Sequence, residues 1–113
     1  MSPNDLNTEI IDDLKDVLGD GFLNLVDVQL EQAEEYLAIM QLHIENDNIE
    51  QVASTAHSLK SSAGQVGLLG IYELSRQLEY EAKQKGHECQ RLYDELKAAY
   101  PKAVEHLHAY VTG

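Results

Sequence analysis

Cysteine, proline and positive charge are scarce in this chain of 113 residues, and each scarcity excludes something. With Cys89 alone, no internal disulfide can form, and such cysteine usage suits a reducing compartment. Two prolines leave long stretches free to run as helix. No apolar run approaches the ~18–20 residues needed to span a bilayer. The amino terminus, MSPNDLNTEI, lacks the basic segment and apolar core of a signal peptide. Eight Lys and Arg face twenty Asp and Glu, a net charge of −12. A surface of that sign is repelled by nucleic-acid phosphates and by anionic membranes. The expectation is a cytoplasmic monomer with no nucleic-acid or membrane partner. The charge is uneven, however. Residues 57 to 85 hold Lys60, Arg76, Lys83 and Lys85 against Glu73, Glu79 and Glu81, a balance of +1 within an acidic protein.

What is present is 43 % hydrophobic residues, enough for one packed domain over residues 1–113. Every periodic stretch reads as helix. A short first helix is expected over Asn7 to Leu18, with Ile10, Leu14 and Val17 on its apolar side, ending at Gly19-Asp20-Gly21. A long second helix, Phe22 to Glu45, carries Leu23, Val26, Leu30, Ala33, Leu37, Met40 and Ile44 at alternating spacings of three and four. Asn46-Asp47-Asn48 interrupts it and offers helix caps. A third helix, Ile49 to Val66, has a seam of Val52, Ala56, Leu59, Ala63 and Val66. A fourth, Ile71 to Lys85, presents Ile71, Leu74, Leu78 and Ala82 and stops at Gly86. A fifth, Glu88 to Val111, contains Pro101, where a kink is expected. Short connections make sequential helices antiparallel neighbours. The expected fold is all-α: an antiparallel up-down four-helix bundle, its core spanning about residues 20–111, with the short amino-terminal helix capping one end.

The stretch AHSLKSSAGQVG, residues 56 to 67, is unusual for a helix because it holds three serines and two glycines. Glycine inside a helix costs roughly 0.8–1 kcal/mol relative to alanine. At ~100° per residue from Val52, the apolar seam falls within about 40°, His57 at about 140°, Gly64 at about 120°, Ser61 at about 180° and Lys60 at about 80°. His57 therefore stands off the seam, with Ser61 and Gly64 one and two turns along and Lys60 beside it. Small residues there clear space for a partner to approach the imidazole. The alternative is that they let another helix pack closely. A neutral imidazole is a nucleophile, and a neighbouring ammonium binds anionic oxygens, which is what phosphoryl transfer requires.

At these residues the chain resembles the histidine phosphotransfer (HPt) family of two-component phosphorelays, and among its members the small free-standing bacterial ones. The pattern is read in His57, Leu59, Lys60, Ser61, Ser62, Ala63 and Gly67, and continues through GLLGIYELSRQLE. Ser61 stands where the family usually has glycine; it narrows access to the imidazole and adds a hydroxyl. The resemblance implies that His57 accepts a phosphoryl group on Nε2 from an aspartate of a response-regulator receiver domain and passes it to a second receiver. A hybrid sensor kinase would stand upstream. It further implies that Lys60 stabilises the phosphoryl oxygens and that Glu79 orients the imidazole through Nδ1–H. Arg76 and Lys83, one turn either side of Glu79, would face the same site, with Ser61, Gly64 and Gly67 around it. The chain has no Gly-rich phosphate loop and no kinase signature. It would be a phosphocarrier without autonomous kinase activity and with no cofactor of its own, the Mg²⁺ coming from the receiver. The alternative is a non-transferring adaptor that binds receivers or kinases. A dimerising kinase bundle is disfavoured, because Ser58 stands where an acid would follow the histidine.

Other features have plainer expectations. His43, His87, His106 and His108 read as surface residues without metal-ligand spacing, and Cys89 as a bystander. Tyr72, Tyr80, Tyr93, Tyr100 and Tyr110 are expected to line the bundle with hydroxyls outward. Ile11, Phe22, Leu25, Val28 and Ile39 either form an apolar docking patch near His57 or pack the first helix, with packing favoured for Phe22.

Overall fold

The computed structural model describes residues 2–112. Five α-helices follow one another: α1 (Thr8–Leu18), α2 (Phe22–Glu45), α3 (Ile49–Gln65), α4 (Leu69–Lys83) and α5 (Cys89–Thr112), with a 3₁₀ turn at Gly19–Gly21 between the first two. Connections of three, three and five residues reverse the chain between α2 and α5. The molecule measures 42 × 24 × 19 Å, elongated along the bundle. Among the described residues, no helix is long and apolar enough to cross a membrane.

The three-and-four spacing places one stripe of each helix inside. Val26, Leu30, Ala33, Leu37 and Met40 of α2 meet Val52, Ala56, Leu59 and Ala63 of α3; Ile71, Leu74, Leu78 and Ala82 of α4 and Leu92, Leu96, Ala103 and Leu107 of α5 complete the core. Each fully buried Leu or Val contributes about 1.5–3 kcal/mol. On α3 the buried residues are mostly small: Ala53, Thr55, Ala56, Ser62 and Ala63. Small side chains let helix axes approach, so the charged residues at the margins of α3 and α4 come within hydrogen-bond reach.

Several details differ from the periodic reading. On α1 the buried residue is Ile11, whereas Ile10 and Val17 face solvent. The helix packs across the bundle end, not along it, so the heptad-like stripe does not choose its buried face. Leu23 is 54 % exposed, and Phe22 takes the inward position at the start of α2. α4 runs from Leu69 to Lys83, two residues earlier at both ends than Ile71–Lys85. Its stop comes from Lys85, which adopts a positive φ of 56° before Gly86. α5 is a single helix with Pro101 inside it, as the sequence reading has it. The hydroxyls of Tyr93 and Tyr100 point inward rather than out: they donate to the carbonyls of Leu37 at 2.8 Å and Leu30 at 3.0 Å, tying α5 to α2. Burial, reinforced by the Glu34 charge, holds the Tyr100 phenol well above its ordinary range.

The amino-terminal segment and α1 close one end. Asn7 caps α1 by accepting the Ile10 N–H. Its own N–H donates to the Gly67 carbonyl at 2.8 Å, and the Gly70 N–H donates to the Asp5 carbonyl at 3.1 Å. His106 Nδ1–H donates to the Asn4 carbonyl and the Tyr110 hydroxyl to Asp12, strapping this segment to α5. Gly67 is buried with φ +76°, and a Cβ there would lie 2.6 Å from Ile11 Cγ1 and 2.9 Å from the Asn7 carbonyl oxygen. Gly67→Ala combines left-handed strain with that clash and is expected to cost roughly 2–3 kcal/mol in urea unfolding. Tyr100→Phe, which removes one buried hydrogen bond, is expected to cost about 1 kcal/mol.

Candidate functional site

Glu79 lies on the α4 face that meets α3 and is buried, with 7 % of its side chain exposed. A lone carboxylate in such a place would be costly. Three donors answer it. Lys60 Nζ lies 2.8 Å from Oε1, while His57 Nδ1 lies 2.9 Å and Lys83 Nζ 3.0 Å from Oε2. Burial pushes the Glu79 carboxyl up, but the hydrogen bonds from Lys60, Lys83 and His57, with the Lys60 charge, outweigh it and bring the group down to about 2. Glu79 is therefore ionised across the physiological range and can only accept hydrogen bonds.

That fixes the state of the imidazole. An ionised Glu79 facing Nδ1 requires the proton on Nδ1, so in the neutral ring the free lone pair belongs to Nε2 and points away from the carboxylate. The His57 side chain is 62 % exposed. The sequence-derived placement off the apolar seam holds: Ala56 and Leu59 beside it are fully buried. With Glu79 at −1 and two lysines at +1 each, the cluster carries a net positive charge beside the exposed Nε2 edge of the ring.

The other residues singled out by sequence divide. Lys60 and Lys83 join the cluster. Arg76 lies one turn from Glu79, but its guanidinium forks onto Glu73, with Nε 3.0 Å from both carboxylate oxygens. Ser61 is exposed one turn beyond His57. Gly64 does not lie open: a Cβ there would meet Tyr72 Cδ2 at 3.1 Å, so its missing side chain admits the Tyr72 ring of α4. Gly67 is buried beneath α1 at the helix end, away from the imidazole surface. Of the apolar candidates, Ile11 and Phe22 are core, Leu25 is half-buried, and Val28 and Ile39 remain exposed on α2. Burial, with the Glu81 charge, pushes the Cys89 thiol up, so it is not an activated nucleophile.

Two residues not singled out for the site share a groove with His57: Ser54 and Glu50, about one and two turns before it on α3. A helical projection carried back through the start of α3 would have found both, since they fall on the same outer face.

An exposed imidazole at mid-helix is thus braced by a carboxylate and lysines across a bundle; comparison with known proteins gives the family and the fold. The Hpt domain family model matches residues 24–109, and the chain belongs to that family. The fold is also that of the crystal structure of histidine-containing phosphotransfer protein B (HptB) from Pseudomonas aeruginosa PAO1. The TM-score is 0.87 at 18 % identity, covering 93 % of this chain and 92 % of that one. Comparison with curated proteins gave no match.

A carboxylate held down to about 2 from 4.5 contributes stability that is present above pH ~4.5 and lost as pH falls towards 2. Wild type should exceed Glu79→Gln in stability at pH 7, and the gap should close by on the order of 3 kcal/mol between pH ~4.5 and 2. Urea unfolding of both proteins across that range checks it; a gap independent of pH contradicts it.

Proposed function

We propose that this chain is a phosphocarrier that shuttles a phosphoryl group between aspartates of receiver domains through His57. The observation that carries the reading is the 2.9 Å hydrogen bond from His57 Nδ1 to an ionised, buried Glu79, with the rest of the ring exposed. It presents a neutral nitrogen nucleophile that needs no general base, because Nε2 carries no proton to remove.

The step follows from that state. The Nε2 lone pair attacks the phosphorus of a receiver's aspartyl phosphate. The Nε2–P bond forms, the P–O bond breaks, and the electron pair leaves on the aspartate carboxylate. The ring keeps its Nδ1 proton and becomes a cation, and Glu79 stands 2.9 Å away to balance it. Lysine at the site favours the incoming oxygens. Reversal onto a second receiver runs the same bonds backwards. The aspartate and the Mg²⁺ that neutralises phosphoryl charge come from the receiver in this reading, so catalysis belongs to the complex. A hybrid sensor kinase would feed the relay. In this reading the protein works as a monomer, since Glu79, Lys60 and Lys83 reach His57 without a second copy of the chain.

The exposed side chains of Val28 and Ile39 on α2 are available as apolar contacts for the receiver. The test is transfer from a panel of phosphorylated receivers, with His57→Gln alongside. Label should appear on the wild type, be acid-labile and alkali-stable, and vanish in the variant, whose thermal unfolding stays within a few degrees of wild type. Tight receiver binding with no transfer, in a folded protein, would replace this reading with that of an adaptor.

A further inference from the structure

Lys60 and Lys83 both bind Glu79, but not equivalently. Lys60 has Oε1 to itself, and its side chain is only 21 % exposed. Lys83 is 65 % exposed and shares Oε2 with the His57 Nδ1–H. The groove beside the imidazole is walled by Lys83, Glu79 and Ser54, with the Glu50 carboxylate at its margin; Lys60 is not in its wall. The half-buried ammonium is thus committed to the carboxylate, and the exposed one lines the groove that His57 also lines.

Resting on the phosphocarrier reading, we infer that Lys83, rather than Lys60, is the cation that takes the phosphoryl oxygens, releasing Glu79 Oε2 as the group arrives. The charges change partners without any being left bare. Before transfer, Oε2 serves a neutral imidazole N–H and the Lys83 ammonium. Transfer makes the ring a cation and brings close to two negative charges to Nε2. The imidazolium then takes over Oε2, and Lys83 turns to the phosphoryl oxygens. A flexible ammonium on an exposed stem makes that move at little cost. If Lys60 moved instead, it would abandon Oε1 and leave one side of a buried carboxylate without its cation, which is strongly unfavourable. Lys60 is accordingly a positioning residue, acting on His57 through Glu79. Lys83 is a catalytic residue in the strict sense, since it touches the transferred group.

Phosphoramidate phosphorylates accessible imidazole without a receiver, so the inference can be tested apart from the relay. Wild type, Lys83→Gln, Lys83→Arg and Lys60→Gln are labelled, and the ³¹P NMR signal absent from His57→Gln is titrated with pH. A cation on the phosphoryl oxygens favours the dianion. Lys83→Gln should therefore move the phosphoryl titration upward by about half a pH unit. Lys83→Arg should keep it near wild type, and Lys60→Gln should move it by much less than Lys83→Gln. A Lys83→Gln titration that coincides with wild type overturns the assignment, as does an equal or larger displacement in Lys60→Gln. Should Lys60→Gln fail to fold, the two Lys83 variants decide alone, since that side chain lies outside the core. No ³¹P signal dependent on His57 overturns the premise of an accessible Nε2. The predicted titrations combined with no transfer from any receiver would support the lysine assignment while counting against the relay.

Discussion

Everything distinctive about this surface depends on one buried carboxylate. Glu79 sits in the seam between α3 and α4, and its oxygens accept from His57, Lys60 and Lys83. Without those partners the group would have to be neutral or exposed. With them it is an anion at neutral pH, and as an anion it dictates which imidazole nitrogen carries the proton. In the proposed mechanism the reactivity of the exposed nitrogen is thus set from beneath.

The bundle supplies the geometry this requires. Small residues on α3, from Ala53 to Ala63, let α4 approach closely enough for a glutamate to reach two residues of the neighbouring helix. Tyr72 filling the space over Gly64 holds the same pair of helices further along. At the far side, Tyr93 and Tyr100 bind α5 to carbonyls of α2, and the amino-terminal segment locks the end through Gly67 and Gly70. Mid-helix placement on a rigid element gives the imidazole a fixed position, which a loop would not.

The sequence was most legible where a long period repeats. α2 matches Phe22–Glu45 residue for residue, and the core stripes of α3 and α4 are those that spacing places inside. Legibility failed where local pattern competes with an end contact. Ile11, not Ile10 or Val17, is buried because Gly67 lies under it, a contact 56 residues distant in sequence. The inward hydroxyls of Tyr93 and Tyr100 are not legible in the sequence, because a helix carbonyl can accept a second hydrogen bond, which propensity does not reveal. At the site, His57 stood out by its angle from the seam. The same projection places Lys60 beside it, Glu79 is reached through the family resemblance, and the structure brings all three together. That Arg76 turns to Glu73 while Lys83 turns to Glu79 is a choice between equivalent helix neighbours that only side-chain geometry decides.

The central claim is that Glu79 holds the His57 ring in the Nδ1–H form and leaves Nε2 to react. Long-range ¹H–¹⁵N spectra of the imidazole, before and after phosphorylation, test it most directly. The account predicts a neutral ring protonated at Nδ1 and a phosphoryl group bonded to Nε2. A resting ring protonated at Nε2, or a phosphoryl group on Nδ1, would contradict it.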